Sequence, residues 1–140
     1  MTTDSSSGAL AIGIVTADAE TLREFYVDGL GFSPIDVLEF PQGAVHRLAR
    51  GAAELKLYQP AEAPAPKTRT EPWQSVAGIG YAALRTDDVA ADYERAVAHG
   101  AETIIEPIEH RPDARMALIR DPEHNVWELL QEARRPPREG

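Results

Sequence analysis

Tyr81-Ala-Ala-Leu-Arg-Thr-Asp-Asp-Val89 and its earlier echo, Ala11-Ile-Gly-Ile-Val-Thr-Ala-Asp-Ala19, decide how the rest of the chain is read. Each is a short apolar run that ends in an acidic residue and opens into a segment with helical spacing. Asp18 and Asp88 stand half of the 140-residue chain apart, and each run begins seven residues before its Asp. A long internal period of this kind is the mark of a duplication. It makes Ala11 and Tyr81 equivalent positions. The functional question becomes what sits at equivalent places in the two halves.

Outward from these runs, the first half predicts β-α-β-β-β. Leu10 to Val15 is a strand, and Asp18 is an N-cap with Glu20 in the first helical turn. Leu22, Phe25, Tyr26 and Leu30 follow near helical spacing, and Gly29 and Gly31 offer a left-handed stop. Phe32 to Phe40, Ala44 to Arg50 and Glu54 to Tyr58 are three strands divided by Pro41-Gln-Gly43 and Gly51. The second half repeats the order. Gly78 to Arg85 is a strand, Asp87 or Asp88 caps a helix that stops at Gly100, and Thr103 to Ile108, Arg115 to Arg120 and Asn125 to Gln131 are strands. Asp121-Pro-Glu-His-Asn125 is a turn with Pro at its second place. The expected organisation is a disordered tail at 1–8, a first module at 9–59, a Pro-rich linker at 60–76, a second module at 77–131 and a flexible tail at 132–140.

Bulk properties narrow the function. A chain of this length buries enough surface for a stable core without staples. It has no cysteine, which excludes disulfides, thiolate metal ligands and a Cys nucleophile. The formal net charge of −9 argues against a general nucleic-acid binder and suits either a cationic ligand or simply a solvated surface. The start lacks a basic region followed by a long apolar run, so neither a signal peptide nor a membrane span is expected and the cytoplasm is the expected location.

Two β-α-β-β-β halves carrying these words resemble the vicinal oxygen chelate superfamily, the group of glyoxalase I, bleomycin-resistance proteins and extradiol dioxygenases. The matching words are Phe25-Tyr26 with Leu30-Gly31-Phe32 in the first half. In the second half they are Asp87-Asp88-Val89, His99-Gly100-Ala101 and Asp121-Pro-Glu-His-Asn125-Val-Trp-Glu128-Leu. The resemblance implies an α+β fold of two tandem βαβββ modules forming an open, cup-like mixed sheet with the helices outside. It also implies a homodimer. Period-two alternation then assigns Ala11, Gly13, Val15, Glu54, Lys56, Tyr58, Tyr81, Ala83, Arg85, Val126 and Glu128 to the cup face.

Metal-dependent members of that family hold a divalent ion with four His, Glu or Gln side chains, one each from the first, fourth, fifth and eighth strands. Carried over by position, those places are Ala11, Lys56, Tyr81 and Glu128. Only Glu128 is a good ligand. Ala11 has no donor, Lys56 repels a cation, and the Tyr81 phenol titrates near pH 10 when unperturbed. The expectation is no metal and no other cofactor.

The Lys56/Glu128 pair then has two readings. One is a salt bridge where the metal would stand. The other is a site, with Lys56 as a fixed cation for a carboxylate, enolate or phenolate oxygen, Glu128 as base and Tyr81 as hydrogen-bond donor. Further ligand-binding candidates are His46 from the third strand, Glu54, Tyr58, Arg85 for an anionic group, and Trp73 for stacking on a planar ligand. Trp127 falls in the core set. His99 ends a helix, His110 belongs to a polar loop and His124 fills a turn position that suits a left-handed residue.

Three functions fit. The leading one is a metal-independent isomerase or lyase acting on a small oxygenated organic molecule. The second is a metal-free protein that sequesters an antibiotic or other small molecule. The third is a metal-dependent glyoxalase or dioxygenase with displaced ligands. No phosphate loop, dinucleotide fingerprint or Ser-His-Asp spacing is present.

Overall fold

The computed structural model describes residues 7–133, so the tail expectations at 1–6 and from 134 onward lie outside the described residues. The element order is β1 (Ala11–Val15), α1 (Ala19–Glu24), β2 (Ser33–Phe40), β3 (Gly43–Arg50), β4 (Ala53–Pro60), β5 (Ala82–Arg85), α2 (Val89–Ala98), β6 (Glu102–Arg111), β7 (Ala114–Arg120) and β8 (Val126–Glu132). This is βαβββ twice over, in an α+β class. One wider π turn (Phe25–Gly29) continues α1, and a short 3-10 turn (Trp73–Ser75) interrupts the linker.

The chain forms two compact units. The first comprises residues up to Val27 with Gly31–Pro66, and the second Asp28–Leu30 with everything from Lys67 on. Each holds one four-stranded mixed sheet, ordered β1-β4-β3-β2 and β5-β8-β7-β6. In both sheets the first and last strands of the module pair in parallel and the remaining pairs are antiparallel.

The duplication reappears as hydrogen bonds. Asp18 caps α1 by accepting from the Thr21 N–H at 3.1 Å, and Asp88 caps α2 by accepting from Ala91 N–H at 3.1 Å. Behind each cap a threonine hydroxyl, Thr16 or Thr86, accepts from the capping residue's own N–H. A strand glutamine completes each set: Gln59 Oε1 accepts from Ala19 N–H at 2.8 Å and Gln131 Oε1 from Val89 N–H at 2.9 Å. These bonds satisfy the first orphan donors of the two helices and tie each helix to the last strand of its module.

One face of each sheet packs on its helix. In the first unit Leu55, Leu57, Leu48 and Ile14 are buried with Ala19 and Leu22, and Phe25, Tyr26 and Phe32 stack edge-on, with centroids 5.1 and 5.9 Å apart. In the second unit Leu84, Ala117, Ile119, Trp127 and Leu129 are buried with Val89 and Ala96. Each large aliphatic among them is worth roughly 1.5–3 kcal/mol of burial. Trp127 is a core residue, as its alternation predicts.

Most strand ends differ from the sequence reading by one or two residues, and two differ by more. β5 begins at Ala82 rather than Gly78, which leaves Tyr81 just ahead of the paired strand. Pairing with β8 begins only at Ala82, opposite Trp127, and ahead of it Gly78 takes φ 122, outside the strand region. β6 runs on to Arg111, so His110 belongs to a strand end and not to a loop, and the turn falls at Asp113, whose φ is 64. His124 is left-handed as expected, with φ 73.

Candidate functional site

Register fixes which side chains share the face turned away from each helix. In the first unit Gly13 lies across from Lys56, Val15 from Tyr58 and Ala11 from Glu54. Glu54, Lys56 and Tyr58 therefore stand on the face opposite Leu55 and Leu57. On the neighbouring strand the same face carries Arg47, directly opposite Lys56. Arg47 grips Asp36 with two bonds of 2.6 and 2.7 Å and approaches Glu54 at 3.9 Å. The Arg47 guanidinium holds the Asp36 carboxyl below the usual carboxylate range. Tyr58 donates its hydroxyl to the Gln42 carbonyl at 3.2 Å. Glu54 and Tyr58 thus have structural partners. Lys56 is exposed and has no ion-pair or hydrogen-bond partner among the described residues of its unit.

His46 requires a correction of place. The sequence reading offered it as a ligand-binding candidate of the third strand that could face the cup, but it pairs in register with Leu57 and so shares the helix-packed face. It is 9% exposed and its Nδ1 is sealed without a partner. The ring lines a cavity of about 470 Å³ at the start of α1, together with Asp18, Glu20, Glu39 and Gln59.

The second unit offers a different face. Glu128 lies across from Ala83 on one side and Leu118 on the other. Along its own strand its same-face neighbours are Val126 and Leu130. Met116, Leu118 and Val126 form a buried apolar cluster, and Trp73, Ile104, Ile105 and Leu130 pack against it. Glu128 is thus a half-buried carboxylate among aliphatic side chains, with no hydrogen-bond partner among the described residues of the unit. Trp73 stands edge-on to Tyr81, with ring centroids 5.5 Å apart. Tyr81 is 49% exposed. At one margin Glu132, whose side chain is 9% exposed, is held by both Arg85 and Arg111, so the Arg85 guanidinium is anchored while most of it faces solvent.

Sequence reasoning missed the apolar floor of Met116 and Leu118 and the buried Arg120. The signal was available: alternation through Met116, Leu118 and Arg120 puts all three on one face, opposite Ala117 and Ile119. The expected metal places fit the same picture. Ala11 and Lys56 in one unit and Tyr81 and Glu128 in the other include a single good ligand. Among the described residues no group of three or more His, Asp or Glu is arranged to hold an ion. The donor set does not fit a divalent metal.

Two βαβββ modules in one chain, with sheets ordered β1-β4-β3-β2 and β5-β8-β7-β6, define a fold of the glyoxalase-like class. The chain belongs to the Glyoxalase/Bleomycin resistance protein/Dioxygenase superfamily, whose family model matches residues 8–129. Among solved structures it is similar to TnmS3, an antibiotic binding protein from Streptomyces sp. CB03234, at 26% identity, with 88% of this chain and 93% of that one covered and a TM-score of 0.64. A glyoxalase family protein from Bacillus cereus matches at 17% identity over 89% and 93% of the two chains, with a TM-score of 0.75. Glyoxalase I from Zea mays matches at 20% identity and a TM-score of 0.74, over 91% of this chain but 46% of its own. These last two likenesses show the fold alone. No curated protein matches the chain. No helix among the described residues is long and apolar enough to cross a membrane.

Proposed function

We propose that this chain is a metal-independent small-molecule binder of the superfamily, and that it sequesters a planar, oxygenated organic ligand on the free face of its second unit. The observation that carries the reading is the placement of Trp73: it packs against the Met116, Leu118 and Val126 floor, edge-on to Tyr81, on the face that holds Glu128. An aromatic wall over an aliphatic floor, with few polar groups, is the composition of a ligand site. In this assignment Trp73 and Tyr81 supply ring contacts, Glu128 accepts from a ligand hydroxyl or amine, and Arg85 meets an anionic edge. Lys56 and Glu54, with Tyr58 beside them, are the polar candidates of the first unit. The likeness to an antibiotic binding protein supports the same reading. A homodimer and a cytoplasmic location belong to the proposal as well.

A second reading, turnover as an isomerase or lyase, is favoured by one feature: Glu128 has no hydrogen-bond or ion-pair partner among the described residues of its unit, as a base awaiting substrate would.

The test is equilibrium dialysis against planar aromatic compounds, cationic, neutral and phenolic, with the ligand recovered and analysed. Sequestration predicts one ligand per site, recovered unchanged, and at least tenfold weaker binding in Trp73→Ala. Recovery of altered compound, with the rate cut by orders of magnitude in Glu128→Gln, would establish the second reading instead. Full binding by Trp73→Ala would remove the site from this face.

A further inference from the structure

The proposed site depends on Trp73, and Trp73 lies in a Pro-rich connector outside any strand. Pro60, Pro64, Pro66 and Pro72 each lack a backbone donor, and none of the residues from 61 to 72 belongs to a strand or helix. Something else must place the indole.

Three polar clasps do so, all within the second unit. Arg120 Nη2 donates to the Thr70 carbonyl at 2.8 Å, across 50 residues of sequence, while Nη1 donates to His124 O at 3.5 Å. Arg69 makes a two-pronged bond to the Glu102 carboxylate and a further one to Glu71. Lys67 donates to Asn125 Oδ1 at 3.2 Å. The turn that receives Lys67 and follows directly on Arg120 is held by bonds of its own. Asp121, 2% exposed, accepts from Glu123 N–H, Asn125 N–H and the Asn125 side-chain amide at 2.8–2.9 Å.

Arg120 is the central member. It is 4% exposed, faces Glu102 across the β6–β7 ladder and leaves its Nε sealed without a partner. A buried guanidinium with an unmet donor is a costly choice for a position that a Leu or Met would fill at equal volume. Its gain is geometric: a planar fork holds two carbonyls from two segments in one fixed arrangement, where an ammonium offers the same charge with rotatable donors and a shorter reach.

We propose that Arg120 is a positioning residue, which with the Arg69–Glu102 pair straps residues 67–73 onto the end of β7 and the start of β6, beside the Asp121–Asn125 turn, and thereby sets the indole of Trp73 over the apolar floor. The inference rests on the ligand site proposed above for its purpose, but not for its test. Trp73 is one of two tryptophans in the sequence, so protein grown with 5-fluorotryptophan gives one fluorine resonance for Trp73 and one for the core residue Trp127. Both are read without any ligand, alongside acrylamide quenching and the thermal midpoint.

In Glu102→Gln, a surface change that leaves the core intact, and in Arg120→Met, which keeps the volume, the Trp73 resonance moves toward its unfolded position. Its quenching constant at least doubles, and Trp127 stays in place. Arg120→Lys restores part of the wild-type Trp73 signal. An unmoved Trp73 resonance in both Glu102→Gln and Arg120→Met overturns the proposal, and so does a joint shift of both tryptophans, which means general loosening. Should dialysis find no ligand while the Trp73 signal behaves as expected, the strap stands and the ligand reading falls.

Discussion

At the scale of single residues, the informative one is Glu128. A carboxylate between Ala83, Leu118, Val126 and Leu130 gives up water without gaining a partner among the described residues of its unit. That arrangement disfavours folding, and proteins keep such arrangements where function needs them. Replacing Glu128 by Leu extends the aliphatic floor and removes the unmet acceptor. The expected result is a gain of about 1 kcal/mol in urea unfolding together with loss of ligand binding or turnover. A loss of stability would show that the carboxylate is satisfied and structural. At the other end of the range, Asp88→Ala removes an N-cap whose bond to Ala91 is 3.1 Å long, and is expected to cost about 1 kcal/mol without touching the site. The sequence narrowed the cap to Asp87 or Asp88, because an Asp before a helical run has a fixed local meaning, and the structure assigns it to Asp88. The sequence displayed the role of Glu128 less plainly, because alternation places a side chain on a face without naming what surrounds it.

Elements show where sequence reasoning held and where it stopped. Strands and helices were legible because apolar alternation and caps are local signals. Tyr81 was placed in a strand and lies just before one, since the point where pairing with β8 begins is one that no local pattern encodes. His46 was offered to the cup face because the alternation of β3 was not phased against β4, where His46 meets Leu57. The β2–β3 hairpin carries a sharper steric requirement. Gly43 has φ 154, and a Cβ there would come within 2.4 Å of the Gln59 carbonyl. Gln59 also caps α1 through its side chain, so displacement of β4 would disturb the helix start. Gly43→Ala is expected to cost on the order of 2–4 kcal/mol in chemical denaturation, whereas Gly13→Ala, with no atom within 4 Å of the new Cβ, is close to neutral.

The strap gives the linker a pH dependence. The Arg69 hydrogen bond holds the Glu102 carboxyl below its usual range. A carboxyl depressed in the folded state adds stability above its unfolded value, near 4.3, and that contribution is lost as pH falls through the lower folded value. Trp73 quenching is therefore expected to be flat above about pH 5 and to rise on acidification below about pH 4. In Glu102→Gln it is already raised at neutral pH and shows no such step.

At the scale of the whole molecule, a duplicated fold has kept its frame and diverged in chemistry. The Asp18/Asp88, Thr16/Thr86 and Gln59/Gln131 sets still match bond for bond. The free faces do not match. The first unit's carries an ionic row, Asp36–Arg47–Glu54, beside a lone Lys56, and the second's an apolar floor around a lone Glu128. This asymmetry argues against the metal chemistry of the superfamily, since a divalent ion needs convergent neutral or anionic donors and the first unit presents a lysine facing an arginine. His46 does not repair the deficit, because it lies on the helix-packed face of its sheet. The expected outcome of incubating the purified protein with Mn, Fe, Co, Ni or Zn, desalting it and counting metal by elemental analysis is well below one ion per chain for every metal. Lys56→Gln, which removes the repelling charge, is expected to leave that count unchanged, because Ala11 and Tyr81 still supply no strong ligand. One ion held per chain in the wild type would reverse the assignment and make Glu128 the first ligand to change. A count that rises only in Lys56→Gln would instead show that the lysine charge alone keeps the metal out.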